Sequence, residues 1–226
     1  MDIAKNLRKL SLEIPQHVKI VAVSKTMPVE AVLEAYKCGQ RVFGENKAQE
    51  LFIKHSQLPE DIEWHMVGHL QTNKIKYIAP FVSLIHSVDS FRLLQHIDKE
   101  ASKNKRLLDC LLQIHIADEE TKFGFSLDEA VLMLESSGFG LLKNIRVTGV
   151  MGMATFTDNE RQIRREFKYL KNCFDQLKKN YFYNINEFRE ISMGMTGDYH
   201  IAIDEGSTML RIGTLIFGER RFPDKQ

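Results

Sequence analysis

Eight short β-branched or apolar runs punctuate this chain, each followed by an amphipathic stretch, and that alternation restricts it to folds in which helices pack around a parallel sheet. The runs are Ile20 to Lys25, Arg41 to Asn46, Trp64 to His69, Ser83 to Asp89, Leu108 to Ile116, Ile145 to Ala154, Glu190 to Met195 and Met209 to Gly218. Between them, Val29, Val32, Leu33 and Tyr36 recur at helical spacing over Val29 to Cys38, with Pro28 at the expected first turn and Gly39 as the C-terminal cap. Ser126 and Glu129 form a capping-box pattern that opens a helix through Leu134, ended near Gly138. Eight strands with intervening helices in 226 residues predict a single (β/α)8 TIM barrel, with residues 1–226 as one domain, since no composition shift marks a boundary. An open doubly wound sheet, which usually stops at about five to seven strands, is the alternative.

Charge narrows the function. Thirty-one basic residues against thirty acidic ones give a net charge of +1, so no global field draws a polyanion and nucleic acid is not an expected partner. The basic cluster at Arg161, Arg164 and Arg165 alternates with acids on a helical pattern and reads as a solvated face. The opening MDIAKNLRKLSLEI carries charges where a signal peptide needs an apolar run, and no apolar segment approaches membrane-spanning length, so the expected location is the cytoplasm. Cys38, Cys110 and Cys173 are far apart and odd in number, fitting no disulfide framework, zinc knuckle or redox pair.

In a barrel, functional groups sit at the C-terminal strand ends, and phosphate is commonly held by the loops after the seventh and eighth strands. After the seventh run, Ser192-Met193-Gly194-Met195-Thr196-Gly197-Asp198 is a glycine-bearing turn leading into a helix over Tyr199 to Asp204, able to aim backbone N–H groups at an anion. The eighth run offers Arg211-Ile212-Gly213-Thr214, with a close backbone approach at Gly213 and a hydroxyl at Thr214. The bland reading of Gly194, Gly197 and Gly213 is that they merely permit tight turns. Lys25 closes the first run, and a strand-end lysine is usually just solvated. Beside apolar neighbours that favour its neutral form, however, its amine can attack an aldehyde and form a Schiff base. An amine at one strand end and a phosphate cradle across the mouth together suit a ligand carrying both groups, such as pyridoxal 5′-phosphate (PLP).

The segments AVSKTMP, FGENKAQE, WHMVGHLQTNK and SMGMTGDYHIAIDEGSTMLRIGTLIFG, in this order from about Val18 to Gly218, resemble the pyridoxal phosphate homeostasis protein family, which is related to the barrel domain of alanine racemase. The resemblance implies a (β/α)8 barrel of fold type III and a Schiff base with PLP on Lys25. It implies phosphate contacts from Ser192, Gly194, Gly213 and Thr214, a backbone N–H from Met193, Asn46 near the cofactor, and Arg211 toward the pyridine nitrogen. A guanidinium beside that nitrogen discourages its protonation and leaves a poorer electron sink, which suits a carrier at least as well as a transaminase. Lys122 resembles a lysine on a loop near the mouth that is open to a second, reversible PLP contact; its bland reading is an exposed loop lysine. His65 and His69 lack the helical context and third ligand of a metal pair, so no metal site is expected; His65 reads as a packed barrel histidine, with His69 and Asn73 nearer the mouth. Thr196 stands where many relatives have serine.

The family resemblance implies a non-enzymatic protein that buffers or delivers PLP in vitamin B6 homeostasis, and an open barrel mouth would let PLP-dependent apoenzymes approach as recipients. The alternative is an amino-acid racemase, whose second acid/base comes from a C-terminal domain. Only eight residues follow Gly218, so that domain, and the dimer it forms, are not expected, and a monomer is. A cofactor-free lyase acting on a sugar phosphate shares the same amine and phosphate sites.

Overall fold

In the computed structural model, which describes residues 2–118 and 123–219, every expected run overlaps a strand, with β1 and β3 each beginning one residue earlier than expected. These are β1 (Lys19–Val23), β2 (Val42–Glu45), β3 (Glu63–Met66), β4 (Leu84–Val88), β5 (Leu108–Gln113), β6 (Ile145–Met151), β7 (Glu190–Ser192) and β8 (Met209–Ile212). The helices among the described residues are α1 (Ile3–Glu13), α2 (Val29–Lys37), α3 (Ala48–His55), α4 (Ile75–Ile78), α5 (Phe91–Lys103), α6 (Leu127–Glu135), α7 (Glu160–Asn180), α8 (Tyr199–Asp204) and α9 (Thr214–Phe217). Neighbouring strands are parallel in strict sequence order, and Lys19 to Ala22 of β1 pair with Met209 to Ile212 of β8. That last pairing closes the sheet and decides for the (β/α)8 barrel over the open sheet, which would leave β1 or β8 as an edge.

The strands are shorter than the runs that signalled them, and the eighth run is two elements. The β8 strand stops at Ile212, Gly213 adopts helical backbone angles, and α9 follows with Ile216 and Phe217 buried. An apolar run cannot distinguish a strand from a short buried helix, so the run reads through to Gly218 although the backbone turns at Gly213. Pro28 stands one residue earlier than expected, as the N-cap of α2, and Gly39 lies just past its end at φ +99°. The capping box is formed: Glu129 N–H donates to Ser126 Oγ at 3.2 Å and Ser126 N–H to the Glu129 carboxylate at 2.8 Å, opening α6. On α7, Arg164 pairs with Glu205 at 2.6 Å and Arg165 with Asp118 at 2.7 Å, while Phe167, Leu170 and Leu177 on the other face are buried.

Strand alternation sorts side chains between two cores. Ala22, Phe43, Trp64, Ile85, Leu210 and Ile212 point outward into the large apolar layer beneath the helices. Val21, Leu84, Leu111, Met151 and Met209 fill the barrel itself, with Val23, Val42 and Met153 against them. Among the described residues no helix is long and apolar enough to cross a membrane.

Candidate functional site

The same period of two sends Lys25 to the mouth: Val21 and Val23 face the barrel interior, so Lys25 follows them on that side, just beyond the end of β1. The chain then reverses. Met27 N–H donates to Ser24 C=O at 2.9 Å, closing a four-residue turn with Lys25 and Thr26 at its centre. Thr26 has φ +66°, a conformation that turns of this kind normally give to glycine. Held by a β-branched residue, it stores about 1–3 kcal/mol of backbone strain.

Lys25 lines a cavity of about 450 Å³ at the C-terminal end of the barrel, within the range of small-molecule sites. Asn46 enters it from the end of β2, Arg211 from β8, and Gly213 and Thr214 from the junction of β8 with α9. The loop after β7 contributes Met195 to Asp198, including Thr196. Gly213 allows close approach, since a Cβ there would stand 3.1 Å from Val23 O, whereas a Cβ at Gly197 would meet only open space. Hydroxyls at Thr196 and Thr214 and backbone at Gly197 and Gly213 make a neutral donor set suited to an anion.

Arg211 forms the floor on that side. Its Nη1 donates to Ser192 O at 2.8 Å and Ser192 Oγ at 2.7 Å, and its Nη2 donates to Gly152 O at 3.0 Å. Burial lowers its pKa to about 10, opposed by the charge of Asp198, so it stays a cation at neutral pH. Behind it a chain of hydrogen bonds crosses the barrel: Ser192 Oγ to His86 Nδ1 at 2.9 Å, then His86 Nε2 to His65 Nδ1 at 2.9 Å. An arginine can only donate, so the arrangement that satisfies every group sends the Ser192 hydroxyl proton to His86 and places the His86 proton on Nε2, facing His65. Burial keeps both rings neutral: His65 is lowered to about 3, and His86 falls well below its usual value, with His65 and Arg211 adding to the effect. Burial also raises the Asp198 carboxyl, against the Met195 N–H that bonds it and the charge of Arg211.

The cavity thus gathers five of the residues singled out in the sequence, Lys25, Asn46, Arg211, Gly213 and Thr214, and leaves three behind its wall. Ser192 is fully buried and gives its hydroxyl to the Arg211–His86 chain. The Met193 N–H, expected to face an anion, donates to Met209 O at 3.2 Å within the sheet, while the Met193 side chain packs in the outer core. Gly194, at φ +93°, makes the bend that follows; a Cβ there would lie 2.5 Å from that of Ala202. These three shape the site from beneath, and the wetted donors lie a few residues further on. Lys122 and the loop Glu119 to Lys122 lie outside the described residues. His69 and Asn73 are exposed, His69 meeting Asp89 at 3.1 Å and stacking on Phe123.

A further wall, not singled out in the sequence, comes from Thr155 to Asp158 after β6. Thr155 is pinned there by the buried Glu166 of α7, which accepts from its N–H at 2.7 Å and its hydroxyl at 2.8 Å. The signal was available, because the strand-end rule applies to the sixth strand as it does to the seventh and eighth.

The family model described as alanine racemase, N-terminal domain, matches residues 2–221. The pyridoxal phosphate homeostasis protein of Aquifex aeolicus is 40% identical over 205 residues, covering 90% of this chain and 88% of its own. The structure of PipY from Synechococcus elongatus with PLP bound superposes with a TM-score of 0.84 at 32% identity, covering 96% of this chain and all of that one. An alanine racemase of Clostridium difficile in complex with cycloserine shares the fold, with a TM-score of 0.78 at 15% identity over 99% of this chain and 61% of that one.

Proposed function

The chain belongs to the pyridoxal phosphate homeostasis protein family, built on the alanine racemase N-terminal domain, and from that premise we propose that it holds PLP as a Schiff base on Lys25 and serves as a carrier without turnover. The observation that supports this best is the meeting, in one cavity, of an amine just past the end of β1, a buried cation on β8 and a glycine-threonine cradle at the start of α9. PLP supplies an aldehyde that condenses with an amine, a phosphate that takes backbone and hydroxyl donors, and a pyridine nitrogen sensitive to neighbouring charge.

Each residue has a task in this reading. Lys25 provides the amine. Gly213 and Thr214 bind phosphate, aided by Thr196 and Gly197, while Ser192, Met193 and Gly194 act from beneath by fixing Arg211 and the bend of the loop. Asn46 hydrogen-bonds the polar edge of the ring. Arg211, anchored by three acceptor contacts, presents a fixed positive charge toward the ring nitrogen and keeps it unprotonated. Racemisation needs a second acid/base opposite the lysine. Among the described residues lining the cavity, the acid/base groups beside Lys25 are Asp158, Asp198 and Arg211, and Asp198 already accepts from the Met195 N–H. We place this carrier in the cytoplasm as a monomeric single domain, residues 1–226, that passes PLP to dependent apoenzymes.

Purified protein mixed with PLP tests the reading. It should develop a visible absorption band that borohydride shifts, with pyridoxyl mass on Lys25, and Lys25→Ala should abolish both. Sustained D/L exchange of alanine or another amino acid would overturn the carrier assignment. A colourless protein that traps a sugar phosphate would support the lyase. Transfer to an apoenzyme no faster than release into buffer would count against direct delivery.

A further inference from the structure

Glu45 is the first of the two acids in the FGENKAQE segment, and strand alternation turns it away from the cavity into the apolar layer under the helices, where it is fully buried. Lys54 of α3 meets it there, 5% exposed at the side chain. The three protons of the Lys54 ammonium go to Glu45 Oε1 at 2.7 Å, Glu50 Oε1 at 2.8 Å and Ser24 O at 2.7 Å. The two carboxylates then reach the same turn: Ser24 Oγ donates to Glu45 Oε1 at 2.7 Å, and Thr26 N–H donates to Glu50 Oε1 at 2.6 Å. One cation therefore fixes both residues that flank Lys25, including the threonine held at φ +66°.

A buried ion pair is a poor means of stabilising a fold, since apolar residues of equal volume usually do as well. Glu45 Oε2 also lies buried without a hydrogen-bond partner, which adds to the cost. What the cluster does accomplish is geometric, because three of its five bonds end on atoms of Ser24 or Thr26 and the other two tie Lys54 to the acids that grip them. We infer that Lys54, acting through Glu45 and Glu50, is the positioning residue that aims the Lys25 amine into the cavity. The inference rests on the reading of Lys25 as the Schiff-base amine. In that step the Lys25 nitrogen bonds the aldehyde carbon, and the carbonyl oxygen leaves as water with both amine protons.

The experiment compares PLP with pyridoxine 5′-phosphate, which has the ring and phosphate but an alcohol in place of the aldehyde, so that it reports the cradle alone. Glu50→Ala removes the acceptor of the Thr26 N–H while leaving the Lys54–Glu45 pair in place. It should slow Schiff-base formation, read from the visible band and the borohydride-fixed mass on Lys25, by about tenfold or more, as expected for a misaimed nucleophile. Its Kd for pyridoxine 5′-phosphate should stay within about twofold of the parent, and Glu50→Gln, which keeps an acceptor oxygen, should recover the rate to within about threefold. If Glu50→Ala does not fold, the double variant Lys54→Met, Glu45→Leu, which removes the cation without stranding the Glu45 carboxylate, should show the same split. Formation at the parental rate, or parallel loss of both ligands, would overturn the inference. If the parent protein binds pyridoxine 5′-phosphate but never reacts with PLP at Lys25, the Lys25 reading itself fails and the positioning role falls with it.

Discussion

Two buried polar networks support the cavity, and they differ in where they lie and in what they carry. The chain from Arg211 through Ser192 and His86 to His65 crosses the barrel interior with one cation at its end and two neutral rings behind. The Glu45–Lys54–Glu50 cluster sits outside the barrel wall, between the ends of β1 and β2 and helix α3, and is ionic throughout. The interior network presents a charge to the cavity and relays no net charge away from it. The outer one keeps its charges out of the cavity and grips backbone instead. The lesson is that burying polarity serves two ends in one site: setting the field a ligand meets, and setting the direction in which a nucleophile points.

The largest expected effect comes from breaking the outer network at its cation. Lys54→Met strands the Glu45 carboxylate in an apolar layer and should lower stability in urea by about 3–5 kcal/mol, while the double variant Lys54→Met, Glu45→Leu should recover most of it. If the double variant is no better, the outer network is not limited by its unpaired charge. His86→Leu should cost less, about 2–3 kcal/mol, because it orphans neutral groups, the Ser192 hydroxyl and His65 Nδ1. Arg211 keeps its bonds to Ser192 O and Gly152 O in that variant, so phosphate-ligand affinity should hold within about twofold. Loss of affinity along with stability would mean that the histidines are needed to fix the cation.

Acid separates the networks further. The folded pKa values of His65 and His86 lie below the unfolded value of 6.5, so their contribution is complete above that pH and is lost as pH falls toward about 3, where His65 takes its proton. Between 6.5 and about pH 5.5 each histidine should withdraw roughly 1 kcal/mol, measurable as a falling urea midpoint and absent from the slope of a His86→Leu, His65→Leu variant. Burial moves Glu45 the opposite way, up from 4.5 against the pull of Lys54, so its contribution grows as pH falls toward that value. The smallest effect belongs to Thr26→Gly, which should stabilise the fold by no more than about 1 kcal/mol, relieved strain being offset by glycine's greater unfolded-state entropy. A marked destabilisation would show that the turn is not strained.

The eight runs, the capping box at Ser126 and the strand-end positions of Lys25, Gly213 and Thr214 were present in the linear pattern, because periodicity and strand-end placement are local properties of a chain, whereas Asn46 and Arg211 stood out as site residues only through the family resemblance. The branch between barrel and open sheet needed the β1–β8 pairing, a contact between residues near opposite ends of the chain that no window of sequence contains. Tertiary structure also moved Ser192 and Met193 from the cavity to its supports, since one strand residue decides whether a hydroxyl meets solvent or a neighbouring strand. The Lys54 cluster lay furthest from view: an acid and a lysine of FGENKAQELFIK look like a solvated helix, and only the closure of α3 over β1 and β2 takes them out of water, where their bonds to Ser24 and Thr26 acquire strength.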